Sequence, residues 1–365
     1  MTSGMTSGMT SGMTSETAGE DTFPKIRIME FCGGHTHALV AAGIPKILPK
    51  NLKMIHGPGC PVCVLPANHI QVLIDLLEEH PKLTIATYGD LLRIPTLKGD
   101  SLLKAQGRGK SIRMLYSPLE LISWAKENPL QEFIFMAVGF ETTAPATALL
   151  VKKLQAQNIQ NVSILCLHVL TPPAIDAVMT ELTPEERPQA IIGPGHVALV
   201  MGLDPYTPIS KNYHLPIVVS GFEPSDLLES IDIACDMLNK KISGVRNQYI
   251  RALRSEGNRK AQSLLQQVFN LRPTFIWRGL GELKDSALNL RPEFDPWNAE
   301  KKYQLQYRDI PEHPQCKCGD ILRGKKSPND CRLFSKACTP NSPLGACMVS
   351  SEGACHAYYQ EGGAQ

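Results

Sequence analysis

The sequence predicts an α/β protein with two similar parallel-sheet lobes, followed by a helical, cysteine-rich C-terminal domain. Short apolar runs alternate with amphipathic helical stretches along most of the chain, which is typical of parallel sheets. Four such runs precede Asn128-Pro129 and four follow it, and six of the eleven cysteines lie in the last fifty residues. We therefore predict two α/β lobes and a third region of different character.

The first predicted lobe spans residues 24–129 and the second spans residues 130–226. In open parallel sheets, ligands bind at the carboxyl ends of the strands, so the loops after the strands are the places to search for a site. The predicted strands are Ile26–Phe31, Leu52–His56, Leu83–Tyr88 and Ile112–Tyr116 in the first lobe, and Phe133–Val138, Val162–His168, Ala190–Gly193 and Ile217–Ser220 in the second. The predicted helices include Ala67–Glu79, Leu119–Glu127, Ala146–Gln155 and Asp226–Asn239.

The two ends of the chain differ from the lobes in composition. Residues 1–23 begin with a repeated Met-Thr-Ser-Gly unit, and we expect them to be disordered because they have no apolar periodicity. In the predicted third domain, residues 227–365, a largely helical pattern gives way to turns at 272–314 and then to Cys, Gly and Pro. Such a composition suits a small domain that is stabilised by a metal cluster more than by an apolar core.

The composition excludes several classes of function. Hydrophobic residues make up 43% of the 365 residues and charged residues 20%, so sizeable cores can form. The formal net charge is +2 and no long basic run occurs, which gives no support for a nucleic-acid partner. We see neither a membrane-spanning apolar stretch of about 20 residues nor the pattern of a secretory signal. We expect a soluble, cytoplasmic protein.

The number of cysteines points to metal or redox chemistry. Structural disulfides are rare in reducing compartments, and eleven cysteines cannot all pair within one chain. Cys166 and Cys235 are each isolated in an apolar segment, so we expect these two to be ordinary buried thiols. The other nine are candidates for function.

The loop after the first predicted strand reads Cys32-Gly33-Gly34-His35-Thr36-His37. Its glycines permit a tight turn or a close approach to a ligand. A cysteine that precedes a helix should have a stabilised thiolate, and an imidazole can bind a metal or transfer a proton. Although an isolated cysteine is more often simply buried, this dense string favours a functional site with Cys32 and His35.

The loop after the second predicted strand contains a Cys-x-x-Cys pair, Cys60 and Cys63, behind Gly57-Pro58-Gly59. Such a pair at a strand-to-helix junction can bind a metal or cycle between dithiol and disulfide. Half of a four-cysteine zinc site is a poor explanation, because the chain has no second Cys-x-x-Cys. Cys32 is the expected third thiol, since it follows a neighbouring strand.

Three loops of the second predicted lobe carry weaker signals. They contain Glu141, His196 and Glu223 within GFETTAP, GPGH and GFEP. Ordinary turn chemistry explains any one of them, but together they suggest side chains that face a cleft. None of the loops matches a phosphate-binding or dinucleotide-binding fingerprint, so we do not predict nucleotide binding.

The cysteine-rich tail contains Cys331, Cys338, Cys347 and Cys355, preceded by the pair Cys316 and Cys318. The spacing matches neither bacterial ferredoxins nor zinc ribbons. Four thiolates can hold either a [4Fe–4S] cluster or structural zinc, and the chemistry of the residues leaves both open. The remaining two cysteines are candidates for a redox pair or an alternate ligand.

Taken together, seven motifs resemble those of the hydrogenase maturation factor HypD family, from about Phe23 onward. They are FCGGHTHA (31–38), HGPGCPVC (56–63), GFETTAP (139–145), GPGH (193–196), SGFEP (220–224), CGDILRG (318–324) and CTPNSPLGACMVSSEGAC (338–355). Several are long and chemically unusual, which makes chance matching improbable. The resemblance implies two α/β lobes around a cleft and a third domain that bears an iron–sulfur cluster.

The resemblance also implies a role in the maturation of [NiFe]-hydrogenases. Members of the family form, with HypC, the scaffold on which an Fe(CN)2CO unit is assembled. HypE, with HypF, delivers the cyanide, and the finished unit passes to the hydrogenase large subunit. The implied cofactors are iron, as this intermediate, and a [4Fe–4S] cluster. No nucleic acid or membrane is implied as a partner, and the resemblance leaves open whether the protein is itself an enzyme.

Roles for individual residues follow from the matching motifs. Cys32 resembles the thiolate that binds the scaffolded iron, and Cys60 and Cys63 resemble a dithiol that binds iron or exchanges electrons. His35 is the implied proton donor or supporting group. The expected cluster ligands are Cys331, Cys338, Cys347 and Cys355. Two alternatives stay open, a cluster-dependent thiol–disulfide oxidoreductase and a structural zinc protein that acts as an interaction module.

Overall fold

The computed structural model describes residues 26–96 and 99–362. The Met-Thr-Ser-Gly repeat, which we predicted to be disordered, lies outside the described residues. None of the described helices is both long and apolar enough to cross a membrane.

All eight predicted strands are confirmed, with small shifts at their ends. The predicted strands are β1 to β8, and the described residues contain three more, β9 to β11. Their bounds are β1 (Ile26–Glu30), β2 (Leu52–His56), β3 (Leu83–Thr87), β4 (Ile112–Met114), β5 (Glu132–Gly139), β6 (Val162–His168), β7 (Ala190–Pro194), β8 (Pro216–Ser220), β9 (Gly244–Asn247), β10 (Phe269–Trp277) and β11 (Gly281–Leu290). Strands such as β3 and β8 are buried at every position, as expected where helices cover both faces of a parallel sheet.

The four helices that we predicted are also confirmed. The helices are α1 (Gly33–Ala41), α2 (Ile44–Ile47), α3 (Pro61–Val64), α4 (Asn68–Glu79), α5 (Leu102–Gly107), α6 (Glu120–Glu127), α7 (Ala144–Ala156), α8 (Thr171–Glu181), α9 (Gly195–Met201), α10 (Thr207–Tyr213), α11 (Pro224–Asn239), α12 (Arg259–Val268), α13 (Ala299–Lys302), α14 (Cys318–Leu322) and α15 (Ala354–Gln360). Several begin with proline in the first turn, where its missing N–H costs no hydrogen bond.

Two parallel sheets form the α/β part of the molecule. One has five strands in the order β2-β1-β7-β8-β9, and the other has four in the order β4-β3-β5-β6. Our expectation that the first four strands form one sheet and the next four the other is therefore wrong. The chain leaves the first sheet after β2, builds the second from β3 to β6, and returns at β7. Accordingly, the sheets do not follow the predicted limits 24–129 and 130–226.

The region after residue 227 contains more strand than we predicted. β9 extends the five-stranded sheet, and β10 pairs with β11 as an antiparallel hairpin with an irregularity between Arg272 and Thr274. We predicted a helical pattern and turns for this stretch. Pro273 and the many exposed residues of β10 and of the first half of β11 weaken the strand signal here.

The cysteine-rich segment packs against the lobes and shares a core with them. Ile321, Leu322 and Met348 lie in the same buried cluster as Val62 and Val64 of α3. The segment has little regular structure beyond α14, α15 and single turns. Its position brings the tail cysteines close to the Cys-x-x-Cys helix.

Candidate functional site

The topological switch points of the two sheets face a common cleft. In the first sheet, β1 and β7 are neighbours whose following connections diverge, and Cys32 and His196 come directly after them. In the second sheet, β3 and β5 hold the equivalent position, followed by Asp90 and Phe140. All four residues line one cavity of about 400 Å³. Ligands of open α/β sheets bind at such places, so this cavity is the candidate site.

Cys32 precedes the first turn of α1, and its side chain is partly exposed to the cavity. The pKa of the Cys32 thiol is raised to about 12, chiefly by burial and in smaller part by the nearby carboxylates of Glu30 and Glu352. The backbone N–H groups of His35 and Gly34 lower the pKa, but they do not prevail. The stabilised thiolate that we predicted is therefore wrong for the protein without a bound cation.

Glu30 holds the loop that carries Cys32, and it was not among the residues that we predicted. It is completely buried and accepts hydrogen bonds from the Cys32 backbone N–H, at 2.8 Å, and from the Thr36 hydroxyl. Its Oε1 lies 2.8 Å from His56 Nδ1, and His56 Nε2 lies 3.1 Å from the Tyr358 hydroxyl. A charged residue at the buried end of an apolar strand was the available signal. This network joins Cys32 to the C-terminal helix α15.

His35 is buried beside an aromatic stack. Its ring centroid lies 4.6 Å from that of Phe222, which also stacks on His196 at 3.8 Å between centroids. Burial lowers the pKa of His35 to about 4, so the imidazole is neutral near pH 7. Among the described residues neither of its ring nitrogens has a hydrogen-bond partner. His35 supports the wall behind Cys32, and its predicted proton-donor role stays a prediction.

Cys60 and Cys63 are joined by a disulfide across the first turn of α3, with their Cα atoms 5.2 Å apart. Both are buried, and with His56 they line a small internal cavity of about 10 Å³. Ile321 and Glu352 of the cysteine-rich segment close the same cavity. In this bonded form, neither sulfur is a free thiolate. Cys32, the predicted third thiol, lines the cleft cavity instead, and Gly59 and Glu352 border both cavities.

Of the three weaker candidates, only His196 lines the cleft. Glu141 is buried and accepts hydrogen bonds from the Thr171 backbone N–H, at 2.8 Å, and from its hydroxyl, at 3.0 Å. Glu223 is exposed and caps α11 together with Asp226. The suggestion that both glutamates face the cleft is wrong, because each one satisfies a helix N-terminus instead.

The six cysteines of the tail come together, although they are far apart in sequence. They line one small pocket with apolar neighbours, among them Ile321 and Phe334, and the cysteines are Cys316, Cys318, Cys331, Cys338, Cys347 and Cys355. Across residues 26–96 and 99–362, no group of three or more His, Cys, Asp or Glu side chains is arranged closely enough to hold a metal ion. The structure therefore gathers the predicted ligands without forming a coordination site.

The chemistry of this pocket fits a thiolate-bound metal group. Interaction with Cys316, and then with Cys347, lowers the pKa of Cys318 well below the ordinary thiol value, and the Arg278 guanidinium acts in the same direction. Gly345 borders the pocket, and a Cβ atom there would lie 2.5 Å from the Cys316 sulfur. Soft sulfur donors with apolar walls suit an iron–sulfur cluster or thiolate-bound zinc.

Comparison with known proteins agrees with these features. The family model described as "HypD: Hydrogenase formation hypA family" matches residues 10–362. The hydrogenase expression/formation protein HupD of Azotobacter chroococcum is 47% identical over 350 residues, covering 94% of this chain and 92% of the relative. The hydrogenase maturation factors HypD of Cupriavidus necator and Escherichia coli K12 are 45% and 40% identical, covering 93% and 92% of this chain and 90% and 89% of the relatives. The chain therefore belongs to the HypD family.

Proposed function

We propose that this protein acts in [NiFe]-hydrogenase maturation as the scaffold, with HypC, on which the Fe(CN)2CO unit is assembled. The observation that carries the proposal is the position of Cys32, whose thiol opens on the cavity where the switch points of both sheets meet. The names of the relatives, which are hydrogenase maturation factors, support the same process. A cavity of about 400 Å³ has room for an iron unit and part of a partner chain.

Cys32 supplies the thiolate that binds the iron unit through Sγ. The buried thiol holds its proton in the free protein, so binding of a cation must displace that proton. Low-spin iron with cyanide and carbon monoxide favours soft sulfur ligands. Glu30 fixes the backbone of Cys32 by hydrogen bonding, and His35 with Phe222 forms the wall beside it. Phe140 and Val197 add apolar surface to the lining of the cavity.

The disulfide and the tail cysteines add a redox function. Reduction of the Cys60–Cys63 bond takes up two electrons and two protons and yields two thiols, which then become additional candidates for binding iron. A [4Fe–4S] cluster, when bound, supplies one-electron transfer. Four of the six tail cysteines would hold this cluster. We propose that these four are Cys331, Cys338, Cys347 and Cys355. Of the described residues, Ile321 alone borders both the disulfide cavity and the thiol pocket, so the two sulfur sites are adjacent.

The partners and location follow from the same proposal. HypC shares the iron, HypE with HypF supplies cyanide, and the hydrogenase large subunit receives the product. This assembly would take place in the cytoplasm. The protein would be a scaffold with redox activity more than a catalyst of many turnovers.

Infrared spectroscopy tests the role of Cys32. The protein would be co-expressed with HypC, purified without oxygen and examined between about 1900 and 2150 per centimetre, a region chosen for metal-bound cyanide and carbon monoxide on thiolate-ligated iron. We expect bands in the wild type, loss of these bands in Cys32→Ala, and unchanged bands in Cys235→Ala, whose thiol lies on α11 away from the cleft. Bands of wild-type intensity in Cys32→Ala would contradict the proposal.

A second function, a cluster-dependent thiol–disulfide oxidoreductase, is favoured by the disulfide at Cys60–Cys63. This alternative requires turnover of a disulfide substrate by the wild type and no diatomic ligands on the purified complex. Iron and zinc quantified in the same samples separate both functions from a structural zinc protein. Zinc in place of iron would exclude both the scaffold function and the oxidoreductase function.

A further inference from the structure

Arg278 lies at the end of β10 and is only 6% exposed. Its backbone N–H donates to the Val64 carbonyl at 2.7 Å, and its Nε donates to the Leu65 carbonyl at 3.0 Å. Both carbonyls terminate α3, the helix that carries Cys63. The arginine therefore satisfies the last turn of the disulfide helix from a distant part of the chain, and its positive charge suits that helix end.

The residue after Arg278 contacts the segment that carries the tail thiols. The next residue, Gly279, has φ +80° and touches Gly319, since a Cβ atom on Gly279 would lie 2.8 Å from the Gly319 Cα. Gly319 follows Cys318 directly. Because neither glycine has a side chain, the two backbones touch. The residues that precede the two glycines, Arg278 and Cys318, therefore flank this contact. Arg278 is thus placed between the disulfide helix and the tail thiols.

The charge of Arg278 is only partly balanced. Glu312 Oε1 lies 3.5 Å from its Nε, and the Glu312 side chain is 40% exposed. Among the described residues, Arg278 Nη2 is buried and has no hydrogen-bond partner. A guanidinium remains protonated in proteins, and burying an incompletely paired cation is unfavourable unless negative charge lies close by. The thiol pocket is the place where such negative charge would develop.

We propose that Arg278 is a positioning residue that holds the disulfide helix against the thiol pocket and raises the reduction potential of a cluster bound there. The inference rests on the proposed function, because it requires an iron–sulfur cluster in that pocket. Reduction by one electron adds one negative charge to the cluster, and a buried cation nearby stabilises the reduced form relative to the oxidised form. Glu312 opposes this effect.

The test is a redox titration of the full-length protein, purified without oxygen and followed by electron paramagnetic resonance at one fixed pH. We expect Arg278→Met to lower the ratio of reduced to oxidised cluster at least tenfold at a fixed potential, or about 59 mV for one electron. Arg278→Lys, which keeps the charge, should stay close to the wild type. Glu312→Gln should shift the potential in the opposite direction, to higher values.

The opposite shifts of the reduction potential expected in Arg278→Met and Glu312→Gln distinguish an effect of charge from an effect of packing. Equal potentials in Arg278→Met and the wild type, or equal lowering in the Lys and Met variants, would overturn the inference while leaving the scaffold function intact. If Arg278→Met does not fold, an unchanged potential in Glu312→Gln overturns it instead. Wild-type protein without iron would overturn both the inference and the proposed cluster.

Discussion

Cys32 is subject to opposing influences that a sequence motif does not reveal. The helix N–H groups that follow it favour the thiolate, whereas burial and two neighbouring carboxylates favour the thiol. Burial has the larger effect, because removing a charged sulfur from water costs more free energy than hydrogen bonds from two backbone N–H groups contribute. The thiol therefore keeps its proton in the free protein, and a bound cation would reverse the balance by adding positive charge at the sulfur.

Glu141 provides a test of burial through the pH dependence of stability. Desolvation raises the pKa of this carboxyl to about 7, although hydrogen bonds from Thr171 lower it. Between about pH 4.5 and 7 the unfolded chain loses this proton while the folded protein keeps it, so the free energy of unfolding falls as the pH rises. We expect the wild type to lose up to about 3 kcal/mol relative to Glu141→Gln between pH 5 and pH 8.

Urea unfolding of both proteins at several pH values measures this difference. Glu79→Gln, an exposed change on α4, is the control and should follow the wild type at every pH. Parallel stability curves for Glu141→Gln and the wild type would show that the carboxyl ionises normally in the folded protein.

At the scale of elements, the loops after β1 and β2 are packed backbone against backbone. The Gly33 N–H donates to the Gly59 carbonyl at 3.0 Å. A Cβ atom on Gly59 would lie 2.3 Å from the Cys32 nitrogen, which leaves no room for a side chain. The glycine between the two cysteine loops is thus required for their close approach.

Gly59→Ala should therefore destabilise the protein and displace Cys32. We expect a loss of at least about 3 kcal/mol in the free energy of unfolding, because the contact is with rigid backbone. Gly107→Ala is the matched control, since a Cβ atom on Gly107 meets nothing within 4 Å and alanine favours the helix α5. Equal stabilities of the two variants by chemical denaturation would mean that the loops separate easily.

The elements with continuous apolar patterns were predictable from the sequence, and the others were not. β3, β5 and β8 are buried along almost their entire length, so their patterns are unmistakable. Most residues of β10 and of the first half of β11 are exposed, and Pro273 interrupts the alternation, so local pattern favours turns. The contacts between Arg278 and α3 could therefore not be predicted from the sequence.

At the scale of the whole molecule, the cleft was predictable but the pairing of its strands was not. Motifs at strand ends identified Cys32, His196 and the Cys60–Cys63 pair as neighbours of a site. Local pattern fixes where a strand occurs but not which strand lies beside it, because partners are chosen by packing over the whole chain. The return of the chain from β6 to β7 is such a choice, and it puts β1 next to β7. This crossing brings Cys32 and His196 together.

The cysteine-rich segment can be tested as a part of the common core. Ile321 is completely buried and separates the disulfide cavity from the thiol pocket, packed among residues of both the segment and the lobes. Ile321→Ala leaves a cavity at this junction, for which we expect a loss of about 2–5 kcal/mol in the free energy of unfolding. Ile250→Ala, at a position that is 78% exposed, should change stability by less than about 0.5 kcal/mol.

The measurement is denaturant unfolding followed by circular dichroism, with metal content matched between the samples. A shift of the main transition in Ile321→Ala is expected if segment and lobes unfold together. An unmoved main transition with a separate early one would mean that the segment is an independent domain, in which case its cysteines are positioned without the help of the disulfide helix.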